Sequence, residues 1–178
     1  MKIGIVLLSL FYALASIAVV SFQGKDLLTE KPVSFPTAQA KGSVIVFLSA
    51  KCPCSASHEP KLAALYQEFS KQGFEFIAVH SNQDESVEFS KEHFKKAALP
   101  FPVVHDSEAK IANQLKALKT PHAYVFVKGE VVFEGGVDDS ANAAHSKEQY
   151  LTNALREISL GKKVTVAQAR ALGCVIKR

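Results

Sequence analysis

At 178 residues, with 48% hydrophobic content and three cysteines, the chain suits one ordinary globular domain with short appendages and needs no disulfide staples to bury a core. Its net charge of +4 is unevenly placed: residues 161–178 carry five basic residues and no acid, Lys2 adds one more, and the body between is about −2. Such a body lacks the basic face that nucleic acid requires, so no nucleic-acid partner is expected, and the basic tail reads as a solvated terminus.

In chain order, Met1 and Lys2 are followed by an apolar, uncharged run over residues 3–20. A basic start and an apolar stretch are the marks of a secretory signal. Residues 1–21 are therefore expected to act as a signal peptide, or as an N-terminal anchor, since a run of this length nearly spans a bilayer. Either outcome places the remainder outside the cytoplasm, in a periplasmic or secreted setting. Residues 22–42 hold Gly24, Pro32, Pro36 and Gly42 among few apolar residues, and read as a linker with one short extended piece near residues 33–35.

The domain is expected over residues 43–160. Residues 43–48 form a continuous apolar run enriched in β-branched residues, the pattern of a strand buried on both faces. From Pro53 the period changes. Leu62, Leu65, Tyr66 and Phe69 share one face of a helix that should end near Gly73. Residues 74–79 predict a second strand, and residues 84–98 a second helix whose opening acids suit the positive end of its dipole. Pro100 and Pro102 break that helix ahead of a short strand at Val103 and Val104. Next come a helix carrying Ile111, Leu115 and Leu118, and then Thr120-Pro121. Two strands flank Lys128-Gly129 as a hairpin, and a last helix turns Leu151, Ala154, Leu155 and Ile158 to one side. The order β-α-β-α-β-α-β-β-α implies an α/β fold, a mixed sheet with a parallel core and an antiparallel edge between helices. Residues 161–178 remain as a basic tail containing Cys174.

Three cysteines cannot all pair within one chain, so at least one is free, shuttling or intermolecular. Cys52 falls between a buried strand and a helix start, where backbone N–H groups and the helix dipole favour the thiolate. Lys51 adds positive potential. Only the thiolate attacks a disulfide, so Cys52 is the expected nucleophile of thiol-disulfide exchange.

Three features resemble the thioredoxin superfamily: the strand-Cys52-helix junction, Pro60 eight residues on, and Thr120-Pro121 ahead of the hairpin. The resemblance implies a thioredoxin-like fold over nearly all of residues 43–160, with Pro121 cis and facing the cysteine. It also implies that Thr120 and Pro121 contact the substrate. Ser55 stands where the second cysteine of a C-x-x-C pair belongs, and Val46 where thioredoxins keep a buried acid. The chain is more similar to the redoxin branch of alkyl hydroperoxide reductases and thiol-specific antioxidants, in exported members ending in a Gly-Cys-x-Ile segment, matched by Gly173-Cys174-Val175-Ile176. Ser49 resembles the first residue of the peroxiredoxin T-x-x-C motif. No arginine lies between residue 43 and Arg156 to polarise a peroxide, so at most a weak thiol peroxidase is expected.

Two cysteines compete to resolve Cys52. Cys54 would close a small, labile ring. Cys174 would swing back on a flexible tail, as the C-terminal thiol of some peroxiredoxins does, since loop closure costs little extra with length. In a purely structural reading Cys54 is a small buried hydrophobe and Cys174 a staple for the tail. His80 and His122 are candidates to tune the thiolate. His58, His93 and His105 read as surface or loop residues, and Glu59 as a first-turn acid. The alternative is a copper-binding chaperone similar to the Sco type, using Cys52, Cys54 and a late histidine such as His145. Zinc spacings, phosphate loops and nucleotide fingerprints are absent, so no cofactor and no metal ligands are assigned. The expected partners are thiol or disulfide substrates and a redox partner, with residues 3–20 as the membrane tether if retained.

Overall fold

The computed structural model describes residues 20–37 and 40–178. All but the last two residues of the expected leader lie outside them. Among the described residues no helix is long and apolar enough to cross a membrane.

Strand β3 (Gly42–Phe47) is buried along its whole length and lies at the centre of a five-stranded sheet. It is flanked on one side by parallel β4 (Phe74–His80) and β5 (Val103–His105), and on the other by β7 (His122–Val127), antiparallel to it, and then β8 (Glu130–Gly135), antiparallel in turn to β7. Its alternating side chains feed two cores, as strand geometry requires. Val44, Val46 and Leu48 join Leu62, Leu65 and Phe69 of α1 (Pro53–Phe69) and Leu151 and Leu155 of α4 (Tyr150–Ser159). Ile45 and Phe47 face Ile77, Tyr124, Phe126 and the short helix α3 (Lys110–Gln114) on the other side. The β7–β8 turn uses Lys128 and Gly129, at φ 53° and 82°. Two successive positive φ values are the signature of the tight hairpin turn.

Three segments differ from the sequence expectation. In the expected linker the short extended piece near residues 33–35 is present as β2 (Pro32–Phe35), but it pairs with an unexpected β1 (Phe22–Lys25) as an antiparallel hairpin. Phe35 stacks on Phe22 and meets Phe126 edge-on, while the Leu27 N–H donates to the Val103 carbonyl at 2.7 Å. A few aromatic anchors suffice here because the sheet supplies the rest of the apolar surface. The second helix, α2 (Val87–Ala97), begins three residues later than its acids suggest, because the Ser86 hydroxyl caps it by accepting from the Phe89 N–H. Asp84 and Glu85 are left in the preceding loop. Leu118, expected on a helix face, is exposed beyond α3, which is only five residues long.

The tail is docked, not free. The Glu134 N–H donates to the Ala167 carbonyl and the Ala169 N–H to the Glu134 carbonyl, so the tail runs along β8. It then crosses the sheet end, where β9 (Cys174–Val175) pairs with β6 (Lys119–Thr120), Thr120 opposite Cys174. Ile176 is buried in the second core, worth about 2 kcal/mol for a side chain of its size.

Candidate active site

The cysteine loop follows β3 at its C-terminal end and leads directly into α1. Cys52 is the N-cap of that helix and Pro53 its first residue, a position where the missing N–H costs nothing. Pro60 lies inside the helix, as expected. The Thr120–Pro121 peptide bond is cis, and the Thr120 carbonyl accepts from the Cys52 thiol at 3.1 Å.

The Sγ atoms of Cys52, Cys54 and Cys174 all lie within 4.8 Å of one another, and all three are free thiols. The structure thus brings together the three cysteines the sequence singles out. Cys52 is 1% exposed, with Cys54 and Cys174 half-buried around it. Burial by itself would push the Cys52 thiol up. Hydrogen bonds from the Cys174 thiol, the Thr120 hydroxyl and the backbone N–H groups of Ser55 and Cys174 outweigh it and bring Cys52 down to about 7. The same arrangement works against the neighbours: burial and the adjacent Cys52 charge raise Cys54, and burial followed by Cys52 pushes Cys174 up to about 12. One thiolate among two thiols is the stable state of the cluster near neutrality.

The Thr120 hydroxyl is buried and has no hydrogen-bond partner while Cys52 is a thiol. Ionisation of Cys52 gives it an acceptor, which is why it favours the thiolate. A thiolate-absorbance titration of the reduced protein is expected to show one cysteine ionising near pH 7 and two above the ordinary thiol range. Because the folded pKa is lowered, the Cys52 thiolate is held above pH 7 and lost below it. Thr120→Val should move that midpoint up by about one unit, the size of one charge-assisted hydrogen bond; an unmoved midpoint would remove Thr120 from the site.

A buried carboxylate that the sequence reading placed on the helix instead holds the loop. Glu85 accepts from the Ser49 hydroxyl at 2.5 Å, the Ala50 N–H at 2.8 Å and the Lys51 N–H at 3.3 Å. Ser49, which resembles the first residue of the T-x-x-C motif, is thereby engaged with Glu85. Ser55, buried in the place of a second C-x-x-C cysteine, accepts from the Ser49 N–H at 3.2 Å and ties the helix back to the loop. Lys51 reaches the Asp84 carbonyl at 2.6 Å and lies over the Phe89 ring, so its charge is committed away from the sulfur.

The histidines also differ from their sequence reading. His58, expected at the surface, is buried, its Nδ1 2.7 Å from the Cys54 carbonyl and its Nε2 3.5 Å from Asp138. Asp138 also takes the Lys61 ammonium at 2.5 Å; burial would raise its carboxyl, and the His58 and Lys61 contacts more than offset this. His93 pairs with Glu59 at 2.7 Å, and Glu59 is a buried helix residue rather than a free first-turn acid. His80 bridges the Leu48 carbonyl and the Ser90 hydroxyl beneath the sheet end, and burial lowers its pKa. His122 packs on Tyr124 and is likewise lowered by burial. His145 is not among the residues whose ligand atoms gather at the cysteines.

A family model described as the AhpC/TSA family matches residues 17–134. Among solved structures, the chain is similar to an uncharacterized conserved protein from Geobacillus kaustophilus, at 25% identity and a TM-score of 0.81 over 90% of this chain and 89% of that one. It is also similar to a hypothetical protein from Sinorhizobium meliloti 1021, at 22% identity and a TM-score of 0.79 over 89% and 91%. A secreted Mycobacterium tuberculosis disulfide oxidoreductase, described as homologous to E. coli DsbE, matches at 19% identity and a TM-score of 0.54 over 62% and 79%. These similarities, together with the mixed five-stranded sheet between helices, show the thioredoxin-like α/β fold. No curated protein matches the chain.

Proposed function

We propose that this chain, which belongs to the AhpC/TSA family, is an extracytoplasmic thiol-disulfide oxidoreductase in which Cys52 and Cys174 form the working disulfide. The observation that carries this reading is the docked tail. It sets the Cys174 sulfur and its N–H on Cys52 and helps bring that thiol down to about 7. Cys54, also within 4.8 Å, is the second candidate to pair with Cys52.

The exposures support one order of steps. Cys52 is covered and Cys174 is half-buried, so a substrate thiolate meets the Cys174 sulfur of the oxidised protein. It forms a substrate–Cys174 bond as the Cys52–Cys174 bond breaks, and the electron pair leaves on Cys52, the better leaving group because its thiolate is stabilised. A second substrate thiolate then attacks the substrate sulfur and releases Cys174, which takes up a proton. Two electrons pass to the protein and the substrate gains a disulfide. In the reverse direction Cys52 is the nucleophile that resolves the mixed disulfide.

The docking edge at Thr120 and Pro121 is occupied by the chain's own β9, so a protein substrate approaches over Cys174. Exposed Leu118 and Val175 flank this point, and they suit an extended segment with apolar side chains. The apolar residues 3–20 support export or a membrane tether, and the secreted relative in the fold is consistent with that placement; cell fractionation and N-terminal sequencing decide between signal and anchor.

Oxidation followed by non-reducing peptide mass analysis tests the assignment. A Cys52–Cys174 crosslink is expected as the main product, shifting to Cys52–Cys54 in Cys174→Ser. A chain whose Cys52 enters no intramolecular disulfide would sink the reading, and predominance of Cys52–Cys54 in the wild type would make Cys54 the partner of Cys52 in place of Cys174.

A further inference from the structure

Thiol exchange needs two sulfurs, and this site holds three in one cluster. Their Sγ atoms fall within 4.8 Å of one another, and among the described residues no other three side chains of metal-ligating type meet in this way. With metal–sulfur bonds of about 2.3 Å, three thiolates in a trigonal arrangement stand about 4.0 Å apart. Small side-chain rotations close the difference. The ligands come from two rigid elements: Cys52 and Cys54 from the start of α1, and Cys174 from β9, which is locked to β6 and anchored by Ile176.

The donor set selects the ion. It contains only sulfur, with neither histidine nor carboxylate among the gathered ligand atoms. Soft thiolates alone, in low coordination number, suit Cu(I), whereas zinc in closed sites takes four ligands. The complex would carry a charge of about −2, which sits at the positive end of a 17-residue helix and beside the backbone N–H groups of Ser55 and Cys174.

We propose that the reduced protein binds one Cu(I) ion through Cys52, Cys54 and Cys174. Binding displaces the protons still held by the thiols, forms three copper–sulfur bonds and transfers no electron. An external disulfide that takes two electrons from two of the thiolates joins them as a disulfide, removes two of the three ligands and releases the ion. The site is thus open to copper only in the reduced state. The proposal stands apart from thiol exchange and does not require it.

The test is an anaerobic titration of the reduced full-length protein with Cu(I) against a chromophoric Cu(I) chelator, with iodoacetamide protection as a second readout. One equivalent should bind, and all three cysteines should become protected. Cys54→Ser and Cys174→Ser, with folding checked by circular dichroism, should each weaken binding at least tenfold, and prior oxidation should abolish it. The proposal is overturned if Cys54 or Cys174 is alkylated in the copper complex as fast as in the metal-free protein, or if a tenfold excess of zinc displaces the copper. It is equally overturned if no stoichiometric complex forms. Loss of copper binding with a Cys52 disulfide still forming on oxidation removes the metal site alone; a Cys52 that enters no intramolecular disulfide, with copper binding retained, removes the exchange reading alone.

Discussion

Gly173→Ala is expected to disconnect Cys174 from Cys52 while leaving the domain folded. An alanine methyl at this position would collide with the Thr120 carbonyl oxygen and meet its carbon at 2.8 Å, and both are backbone atoms that cannot turn aside. The strand must lift from Thr120, and the Cys174 sulfur leaves with it. Displacing a reacting group by an ångström or more costs on the order of a hundredfold in rate. Formation of the Cys52–Cys174 disulfide under fixed oxidant should slow by about that factor. The Cys52 midpoint should also rise from about 7 toward the ordinary thiol value, since the Cys174 thiol and N–H that lower it are gone. Thermal stability should fall by only a few degrees, because the main core lies elsewhere in the sheet. Quenched-flow crosslinking and the thiolate titration measure both effects, and wild-type values in both would refute the role given to Gly173.

Glu85→Ala should be the most destabilising single change at the site. It strips the acceptors from the Ser49 hydroxyl and from the Ala50 and Lys51 N–H groups. The first two are buried, where an orphaned donor costs about 1–3 kcal/mol. A total of about 4 kcal/mol is expected, a drop of roughly 10 °C in Tm for a chain of this size. Glu85→Gln keeps one carbonyl oxygen for the two N–H groups, while its amide can donate to a rotated Ser49 hydroxyl, so it should recover more than half of the loss. Denaturant unfolding of both variants decides the matter. If Glu85→Ala lies within about 1 kcal/mol of wild type, the carboxylate does not hold the loop.

His58 and Glu85 show why part of this site escapes a linear reading. A histidine four residues after Cys54 and an acid just before a capping serine each have an ordinary local explanation, and nothing within the neighbouring residues contradicts it. Only the fold, which lays α1 against Asp138 and brings the loop after β4 beside Ser49, turns them into buried partners of the cysteine loop. The hairpin over residues 22–35 escaped for a related reason: its few apolar residues make no periodic pattern, and its stability comes from Phe126 and Val103 far along the chain.

What the sequence determined by itself is what short-range physics encodes. The buried run of β3, the helical period of α1 and α4, the Lys128-Gly129 turn and the strand-Cys52-helix junction all depend on neighbours within one or two turns, and so they were legible in order and position. The tertiary structure alone decided the company of Cys52. The choice between a free tail and a docked one rests on Ile176 finding the second core, on Gly173 passing close under the Thr120 carbonyl, and on β9 pairing with β6. Each is a contact across more than fifty residues, for which local propensity carries no signal. Those contacts bring a cysteine distant in the chain within 4.8 Å of the Cys52 sulfur.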